Sequence, residues 1–231
     1  MQRIRGVNGP ITGHYRIAAV SGLTTGMGGG AILFSARWAT AAYLRAAILR
    51  LRVQAAIITP FTAQQEIQVS AFLQSSFTAS DTGGSQAVPV AGVNSLLQVS
   101  ESAQASQFSD IRICGVSGLA IGTRTTDTIP FATALGAQIL AAANAAQNPI
   151  ILDYDVNSDQ RMPIILQGST PTIGQQAIPG SQPPGAPANI PTNAQGVAVY
   201  SQIAQGAGGT VRFAVEMEWV EFATNSSEVI I

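Results

Sequence analysis

The sequence predicts a mainly β protein, a β-sandwich or jelly-roll-like fold with one or two short helices and a long proline-rich loop. Three observations support this prediction. Apolar and polar residues alternate with a period of two near the C-terminal end, many short apolar segments are separated by Gly, Pro, Ser and Asn, and prolines accumulate between Ser169 and Asn193. The length allows a sizeable core, so we treat residues 1–231 as a single β-rich domain.

The clearest strand signal lies in Val211–Trp219. Apolar residues at every odd position alternate there with Arg212, Ala214, Glu216 and Glu218, which is typical of a half-buried strand. Gly196–Ile203 is a second strand candidate just before it, and the glycine-rich stretch Gln205–Gly209 separates the two. Because glycine tolerates the positive φ of tight turns, this arrangement predicts a β-hairpin.

Two further alternating segments, Leu49–Ile57 and Ile67–Ala71, flank a turn marked by Pro60. Other short strand candidates are Arg16–Val20, Ala31–Ala36, Leu96–Val99, Ile111–Val116, Ile150–Tyr154 and Pro163–Gln167. The alanine content of Phe131–Ala146 predicts a short helix, and Ala39–Arg50 is compatible with either a helix start or a strand.

Three segments are predicted to extend from the β-rich body. Residues 1–30 form a basic, Gly-rich N-terminal arm, residues 169–193 a Pro-rich extended loop or arm, and residues 223–231 a C-terminal tail. The Pro-rich segment cannot pair as a central strand because proline lacks the amide that a sheet requires. The apolar end of the tail, Val229–Ile231, is expected to dock on a surface or to form a last short edge strand.

Charged residues make up only 10% of the chain, and all eleven basic residues are arginine. So little charge predicts a surface largely covered by neighbouring molecules, or one that is simply neutral and polar. Seven arginines precede the first acidic residue, Glu66. Near the other end, the only basic residue is Arg212, and the acidic residues are Glu216, Glu218, Glu221 and Glu228. The two ends are therefore complementary in charge, within one subunit or between adjacent subunits.

Several functions are disfavoured by what the sequence lacks. The net charge of −1 and the absence of an arginine cluster with interleaved aromatic residues argue against nucleic-acid binding. The one histidine, His14, has no G-x-S-x-G motif to accompany it, and the glycine-rich run Gly22–Gly30 lacks the lysine of a phosphate-binding loop, so a flexible hairpin loop is predicted there. No apolar run is typical of a membrane span. We predict no enzymatic activity, no cofactor and no membrane partner.

A weak calcium-site candidate is the D-x-D-x-N-x-D pattern of Asp153, Asp155, Asn157 and Asp159, whose oxygen ligands alternate as in a calcium loop. The pattern then departs from that loop, because Ser158 stands where glycine is needed and Ile164 where a bidentate carboxylate is needed. A polar loop between strands is the favoured interpretation. We expect Cys114 to be a buried small apolar residue, and the aromatic residues Trp38, Phe213, Trp219 and Phe222 to belong to the core.

Three stretches carry a resemblance to a family of proteins. FTASDTGG (Phe77–Gly84), GTRTTDTIP (Gly122–Pro130) and VRFAVEMEWVEF (Val211–Phe222) resemble structural proteins of tailed-bacteriophage virions, over roughly Ala31 to Phe222. The resemblance implies that the third stretch is a core strand of a β-sandwich, in agreement with its alternation. The Pro-rich insertion Ser169–Asn193 departs from the compact pattern of that family.

The resemblance implies a virion structural protein assembled in the host cytoplasm, most concretely a capsid decoration or cement protein that binds the major capsid protein or other virion proteins, with a homotrimer favoured. The alternatives are a tail, head-fibre or baseplate component and a carbohydrate-binding β-sandwich receptor protein. The residues predicted to contact partners are Arg3, Arg5, Arg16, Pro179, Pro183, Pro184, Pro187, Ile230 and Ile231.

Overall fold

The computed structural model describes residues 11–38, 44–87, 106–138, 150–156, 163–167 and 194–223. Within these residues the protein is mainly β, with two antiparallel sheets and no helix. This confirms the predicted class, and the arrangement is consistent with a β-sandwich. We refer to the two-sheet body below as the sandwich.

The first sheet has five strands. Its order is β1, β12 and β3, and the far edge of β3 pairs with both β9 and β10. The strands are β1 (Ile11–Val20), β3 (Leu44–Thr59), β9 (Ile150–Asp155), β10 (Ile164–Gln167) and β12 (Thr210–Ala223). The two long strands β3 and β12 pair from end to end and form the centre of this sheet.

The second sheet has seven strands in the order β5, β6, β2, β11 and β4, and the far edge of β4 pairs with both β7 and β8. The strands are β2 (Ala31–Trp38), β4 (Gln65–Ser75), β5 (Ser85–Gln86), β6 (Phe108–Ile113), β7 (Thr125–Thr126), β8 (Ala132–Gln138) and β11 (Gly196–Ser201). Every residue of β11 is buried, as expected for a strand enclosed by neighbours on both edges.

The core lies between the sheets and draws side chains from both. The odd-numbered residues of β12 from Val211 to Trp219 point into it, so the period-two pattern predicted the correct face. Four aromatic rings form a continuous line across one end of the core. Tyr15 stacks on Trp219, Trp219 meets Phe108 edge-on, and Phe108 meets Trp38 edge-on, with ring centroids 5.1 to 5.5 Å apart.

One β-bulge changes which residues of β3 face the core. Glu218 lies opposite Arg50 and Trp219 opposite Ile48, so Leu49 is the extra residue on β3. Odd residues of β3 face the core after the bulge, whereas Ala46 and Ile48 face it before the bulge. The residues displaced to the other face, Ala47 and Leu49, form a small second cluster with Val220 and Phe222.

Several sequence predictions about local structure were wrong. Gly196–Ile203 and Val211–Trp219 do not form a hairpin, because β11 lies in the seven-stranded sheet and β12 in the five-stranded sheet, and the glycine-rich connection crosses between them. The described part of Phe131–Ala146 is not helical, because Ala132–Gln138 pairs with β4 as strand β8. Tertiary pairing there outweighs the helix propensity of alanine.

The glycine-rich run Gly22–Gly30 is a connection between the two sheets, since it joins β1 to β2, and so it is not a hairpin loop. Residues Ile11–Val20, assigned from the sequence to the N-terminal arm, form an edge strand paired with β12. The sequence of Ala39–Arg50 was compatible with either a helix start or a strand, and its described part, Leu44–Arg50, belongs to strand β3.

The sandwich has two ends, which we name after a residue at each. At the Phe222 end, β1 and β11 begin, β2 and β12 end, and Gln167 of β10 pairs with Arg45. At the Gly22 end, the Gly22 amide donates to the Cys114 carbonyl at 3.3 Å, and the Gly30 amide donates to the Ser201 carbonyl at 2.7 Å. The first bond joins the loop after β1, in the five-stranded sheet, to the residue after β6, in the seven-stranded sheet. The second bond continues the pairing of β2 with β11 within the seven-stranded sheet.

Candidate interaction surfaces

The outer face of the five-stranded sheet carries a charge ladder, by which we mean alternating rows of cations and carboxylates across four strands. In one row, Arg16 of β1 lies opposite Glu218, Glu218 opposite Arg50, and Arg50 opposite Asp155. In the next row, Glu216 lies opposite Arg52 and Arg52 opposite Asp153. Opposite charges on facing positions of neighbouring strands attract one another, so the ladder favours this strand order.

Side-chain contacts follow the ladder. Arg52 donates from Nη2 to Asp153 Oδ2 at 2.7 Å, and Arg16 forms an ion pair with Glu216. The Arg50 Nε atom lies 3.7 Å from a carboxylate oxygen of both Asp153 and Asp155. The basic N-terminal half and the acidic C-terminal strand, predicted to complement each other, therefore pair within one chain at these positions.

His14 and Glu218 extend the ladder on the β1 side, with 2.7 Å between Nε2 and Oε1. This hydrogen bond lowers the pKa of the Glu218 carboxyl below its ordinary value, and the nearby positive charges add to the shift. Glu218 is therefore held in its charged form on this face.

Two members of the predicted calcium pattern, Asp153 and Asp155, belong to the ladder as partners of arginines. Asn157 and Asp159 lie outside the described residues. No group of three or more histidine, cysteine, aspartate or glutamate side chains stands in position to hold a metal ion within the described part of the chain.

The outer face of the seven-stranded sheet differs, because two loops cover the part of it that β11 and the end of β2 form. We name them the cover loops, residues 76–84 and 118–124, the second of which ends where β7 begins. They pair with each other through backbone hydrogen bonds, reciprocally between Thr82 and Ala120 at 2.9 and 3.0 Å and between Ala79 and Thr123 at 3.4 and 3.2 Å. They contain FTASDTGG and the first part of GTRTTDTIP, so two stretches that carry the resemblance lie in one structural unit.

A buried ion pair joins the cover loops. Arg124 Nη1 lies 2.7 Å from Asp81 Oδ2, and neither side chain is exposed. The other Asp81 oxygen accepts from the Gly122 amide at 2.8 Å. Arg124 also donates to the Tyr200 hydroxyl at 3.2 Å and lies over the Phe77 ring, 4.7 Å from its centroid. The arginine therefore connects both loops to β11 beneath them.

The contact between loop and sheet depends on a glycine. A Cβ atom on Gly196 would lie 2.3 Å from the Ala36 carbonyl oxygen and 2.7 Å from the Phe77 ring, so no larger residue fits without displacement. Phe77 is 1% exposed. Beside it, Arg37 Nε donates to the Phe77 carbonyl at 2.7 Å and Nη2 to the Thr78 carbonyl at 3.0 Å. The cover loops are thus part of the fold.

At the Phe222 end, a buried carboxylate joins the two sheets. Glu221 Oε1 accepts hydrogen bonds from the Ser106 hydroxyl at 2.6 Å, the Gln107 amide at 3.0 Å and Trp219 Nε1 at 3.1 Å. Burial raises the pKa of Glu221 above its ordinary value, although these three donors act in the opposite direction. Sequence reasoning treated Glu221 only as part of an acidic strand, because its burial follows from the sheet pairing.

The residues predicted to contact partners are described only in part. Arg16 lies on the edge strand β1 and pairs with Glu216, with half of its side chain exposed. The remaining candidates lie outside the described residues and are Arg3, Arg5, Pro179, Pro183, Pro184, Pro187, Ile230 and Ile231. The structure does locate the residues next to them, since Ile11, Gln167, Ala194 and Ala223 all lie at the Phe222 end.

Other predicted roles can be compared with burial. Trp38, Phe213, Trp219 and Phe222 are at most 1% exposed, which confirms their assignment to the interior. Cys114 is buried as predicted, and burial raises the pKa of its thiol to about 11. A helix long and apolar enough to cross a membrane is not found among the described residues.

No protein-family model and no curated protein matches this chain. The geometry described above therefore carries the functional argument.

Proposed function

We propose that this protein is a structural protein of a tailed-bacteriophage virion, most concretely a decoration or cement protein that binds the major capsid lattice and stabilises the head. One observation carries the proposal. Three segments, residues 1–30, 169–193 and 223–231, were predicted to extend from the body. Their parts outside the described residues, 1–10, 169–193 and 224–231, are all joined to residues at the same end of the sandwich. Segments that start from one end can engage neighbouring molecules together, whether the capsid lattice or adjacent copies of this chain.

The arrangement of charges on the outer face of the five-stranded sheet supports this proposal. The charge ladder pairs cations with carboxylates inside one chain, so the exposed face of the five-stranded sheet presents compensated charge rather than a field of one sign. Such a surface suits close packing beside identical neighbours, because like charges do not accumulate where copies meet. The proposed role requires rigidity and contact area, and it requires no catalytic group.

The proposal includes the finer assignments. The fold would be jelly-roll-like, the favoured assembly is a homotrimer, and the partner is the major capsid protein or another virion protein. Modest contacts repeated by symmetry would then stabilise the lattice through avidity. The glycan-binding alternative finds less support, because the aromatic residues considered for ring stacking, among them Trp38 and Trp219, are buried.

A particle-binding assay tests the proposal. Purified protein is incubated with capsids that lack it, the particles are pelleted, and bound copies are counted for the full chain and for a variant lacking Ser169–Asn193. A matched control replaces the same segment by a Gly/Ser linker of equal length, which preserves the connection between β10 and β11 but removes the prolines.

The proposal predicts saturable binding by the full chain, greater resistance of the particles to heat, and weaker binding by both variants. Failure of the full chain to bind would contradict the decoration role and favour a tail, head-fibre or baseplate position. Full binding by the Gly/Ser variant would show that the Pro-rich segment does not contribute to the contact with the particle.

A further inference from the structure

The Gly22 end of the sandwich carries an apolar patch that the proposed partner contacts do not use. We name it the Gly22 patch. Its side chains, all exposed, are Val20 (58%), Leu23 (39%), Ile58 (50%) and Val116 (67%). Exposed apolar residues that stand singly need no explanation, but a group of them on a rigid surface marks a contact site.

These residues lie beside one another. Ser21 and Thr24 both donate backbone bonds to β12, to the Phe213 and Val211 carbonyls at 2.8 Å, so the two residues between them, Gly22 and Leu23, lie beside Arg212. Val20 pairs with Ala214 on the same outer face.

The other two members adjoin this group from either side. A Cβ atom on Gly22 would lie 3.1 Å from the Val116 amide nitrogen, so the backbone of Val116 packs against Gly22. Arg212 pairs with Ala56 of β3, and Ile58, two residues later, is the unpaired residue of a β-bulge and is exposed. The patch therefore spans β1, β12, β3 and the loop after β6.

One charged side chain, Arg212, lies beside the four residues of the patch. Arg212 is exposed on the outer face and forms no ion pair with a carboxylate of the described residues, unlike the arginines of the charge ladder on the same sheet. An apolar surface around an uncompensated arginine fits a segment with several apolar side chains and one carboxylate.

This chain contains a segment of that chemistry. Glu228 is followed directly by Val229, Ile230 and Ile231, which matches one carboxylate and three apolar side chains. Four polar residues, Thr224–Ser227, separate this segment from the end of β12 at Ala223. We propose that residues 228–231 of one copy dock on the Gly22 patch of a second copy, with Glu228 beside Arg212.

Reach excludes docking within one copy. Ala223 lies at the Phe222 end, eleven residues along β12 from Arg212, a span of about 36 Å at the rise of an extended strand. Ile231 is eight residues beyond Ala223, and a fully extended chain of that length covers at most about 29 Å. The segment therefore reaches the patch of a neighbouring copy, and the contact is head to tail. Such contacts build rings or filaments.

Sedimentation velocity on four forms of the protein tests this inference, which does not depend on a virion location. The forms are the full chain, a chain ending at Ser227, a patch variant with Val20→Asp and Val116→Asp, and a control with Ile129→Asp and Leu135→Asp. The control changes two residues that are also exposed, at 78% and 66%, and that lie elsewhere.

We expect the full chain and the control to self-associate with rising concentration, and the shortened chain and the patch variant to stay monomeric. Mixing the last two should give a one-to-one heterodimer and nothing larger, because only one intact patch and one intact segment remain. Equal loss of association in the control, unchanged association after removal of residues 228–231, or a monomeric full chain would each overturn the inference.

A peptide of residues 224–231, titrated into the chain ending at Ser227, checks the charge pairing. Arg212→Glu should weaken peptide binding by about tenfold or more, and a peptide with Glu228→Arg should recover binding to that variant. Absence of peptide binding to the unaltered patch would overturn the inference as well. Particle binding by the shortened chain, measured separately, bears on the proposed function alone.

Discussion

The outer faces of the two sheets use charge in opposite ways. On the five-stranded sheet, arginines and carboxylates pair in an exposed ladder, where Arg52 and Asp153 keep about a third of their side-chain surface in water. On the seven-stranded sheet, Arg124 and Asp81 pair without any exposure beneath the cover loops. Exposed ion pairs contribute little to stability. Removing one partner of a buried ion pair leaves the other charge buried with neither a partner nor water to solvate it, which is strongly destabilising.

The difference assigns separate roles to the two faces. The buried pair, the Phe77 contact and the backbone bonds between the cover loops make one face part of the folded body. The other face, with its compensated charges and the Gly22 patch, is open to neighbours. We therefore expect mutations on the covered face to change stability, and mutations on the open face to change association.

The largest expected effect comes from breaking the buried pair. Asp81→Ala leaves Arg124 charged and unpaired in the interior, and we expect it to reduce the free energy of unfolding by about 3–5 kcal/mol. Asp153→Ala, which removes a carboxylate from the open ladder, should cost less than about 1 kcal/mol. Urea unfolding of both variants measures the two losses.

A double variant sharpens this test. Asp81→Leu combined with Arg124→Met removes both charges, and it should be more stable than Asp81→Ala because no unpaired charge remains. Equal losses in Asp81→Ala and Asp153→Ala would contradict the contrast between the faces.

The next largest effect is expected from a substitution at Gly196, against which the Phe77 ring packs. Gly196→Ala places a methyl group against the Ala36 carbonyl and the Phe77 ring, so we expect a loss of about 1–3 kcal/mol from overpacking. Gly28→Ala is the matched control, since a Cβ atom there meets nothing within 4 Å and its φ is not positive. In thermal unfolding, the melting temperature of Gly196→Ala should be lower than that of Gly28→Ala. Similar melting temperatures would show that the cover loops can shift to accommodate the added methyl group.

The smallest effects are opposite pH dependences of two carboxylates on β12. The pKa of Glu218 is lowered by His14, so its stabilising contribution is present above the ordinary value of 4.5 and is lost as pH falls through the lowered pKa. The pKa of buried Glu221 is raised, so its contribution is present below 4.5 and is lost as pH rises through the raised pKa.

Denaturant unfolding over a pH series, relative to Glu218→Gln and Glu221→Gln, measures both carboxylates. The stability of the wild-type protein should fall toward acid relative to the first variant and fall toward neutral pH relative to the second. The same sign for both would contradict the assignment of the two side chains to opposite faces of β12.

Much of the fold follows from local patterns in the sequence. The alternation in Val211–Trp219 predicted both the strand and its buried face, because a period of two fixes which side chains share a face. Pairing partners did not follow, since the same pattern suits either sheet. The supposed hairpin between β11 and β12 failed for that reason, and the helix predicted over Phe131–Ala146 failed because pairing with β4 decided the structure of Ala132–Gln138.

The candidate surfaces were predicted less completely. The sequence showed that the N-terminal part is basic and the C-terminal part acidic. In the structure, arginines of the first part pair with glutamates of the second within one chain, in the charge ladder. The pair of Asp81 and Arg124 was not predicted, because the residues are far apart in the sequence and nothing local marks them as neighbours. Their occurrence in two stretches singled out by resemblance was the one available signal. The Gly22 patch depends on contacts between loops of both sheets, which no single segment contains.

Hydrogen exchange on the free protein and on the protein bound to particles that lack it tests the central claim most directly. We predict that the cover loops, residues 76–84 and 118–124, exchange slowly in both states, and that binding adds protection at the Phe222 end and on the open face of the five-stranded sheet. New protection confined to the cover loops, with no change elsewhere, would contradict the assignment of the covered face to stability and the open surfaces to contact.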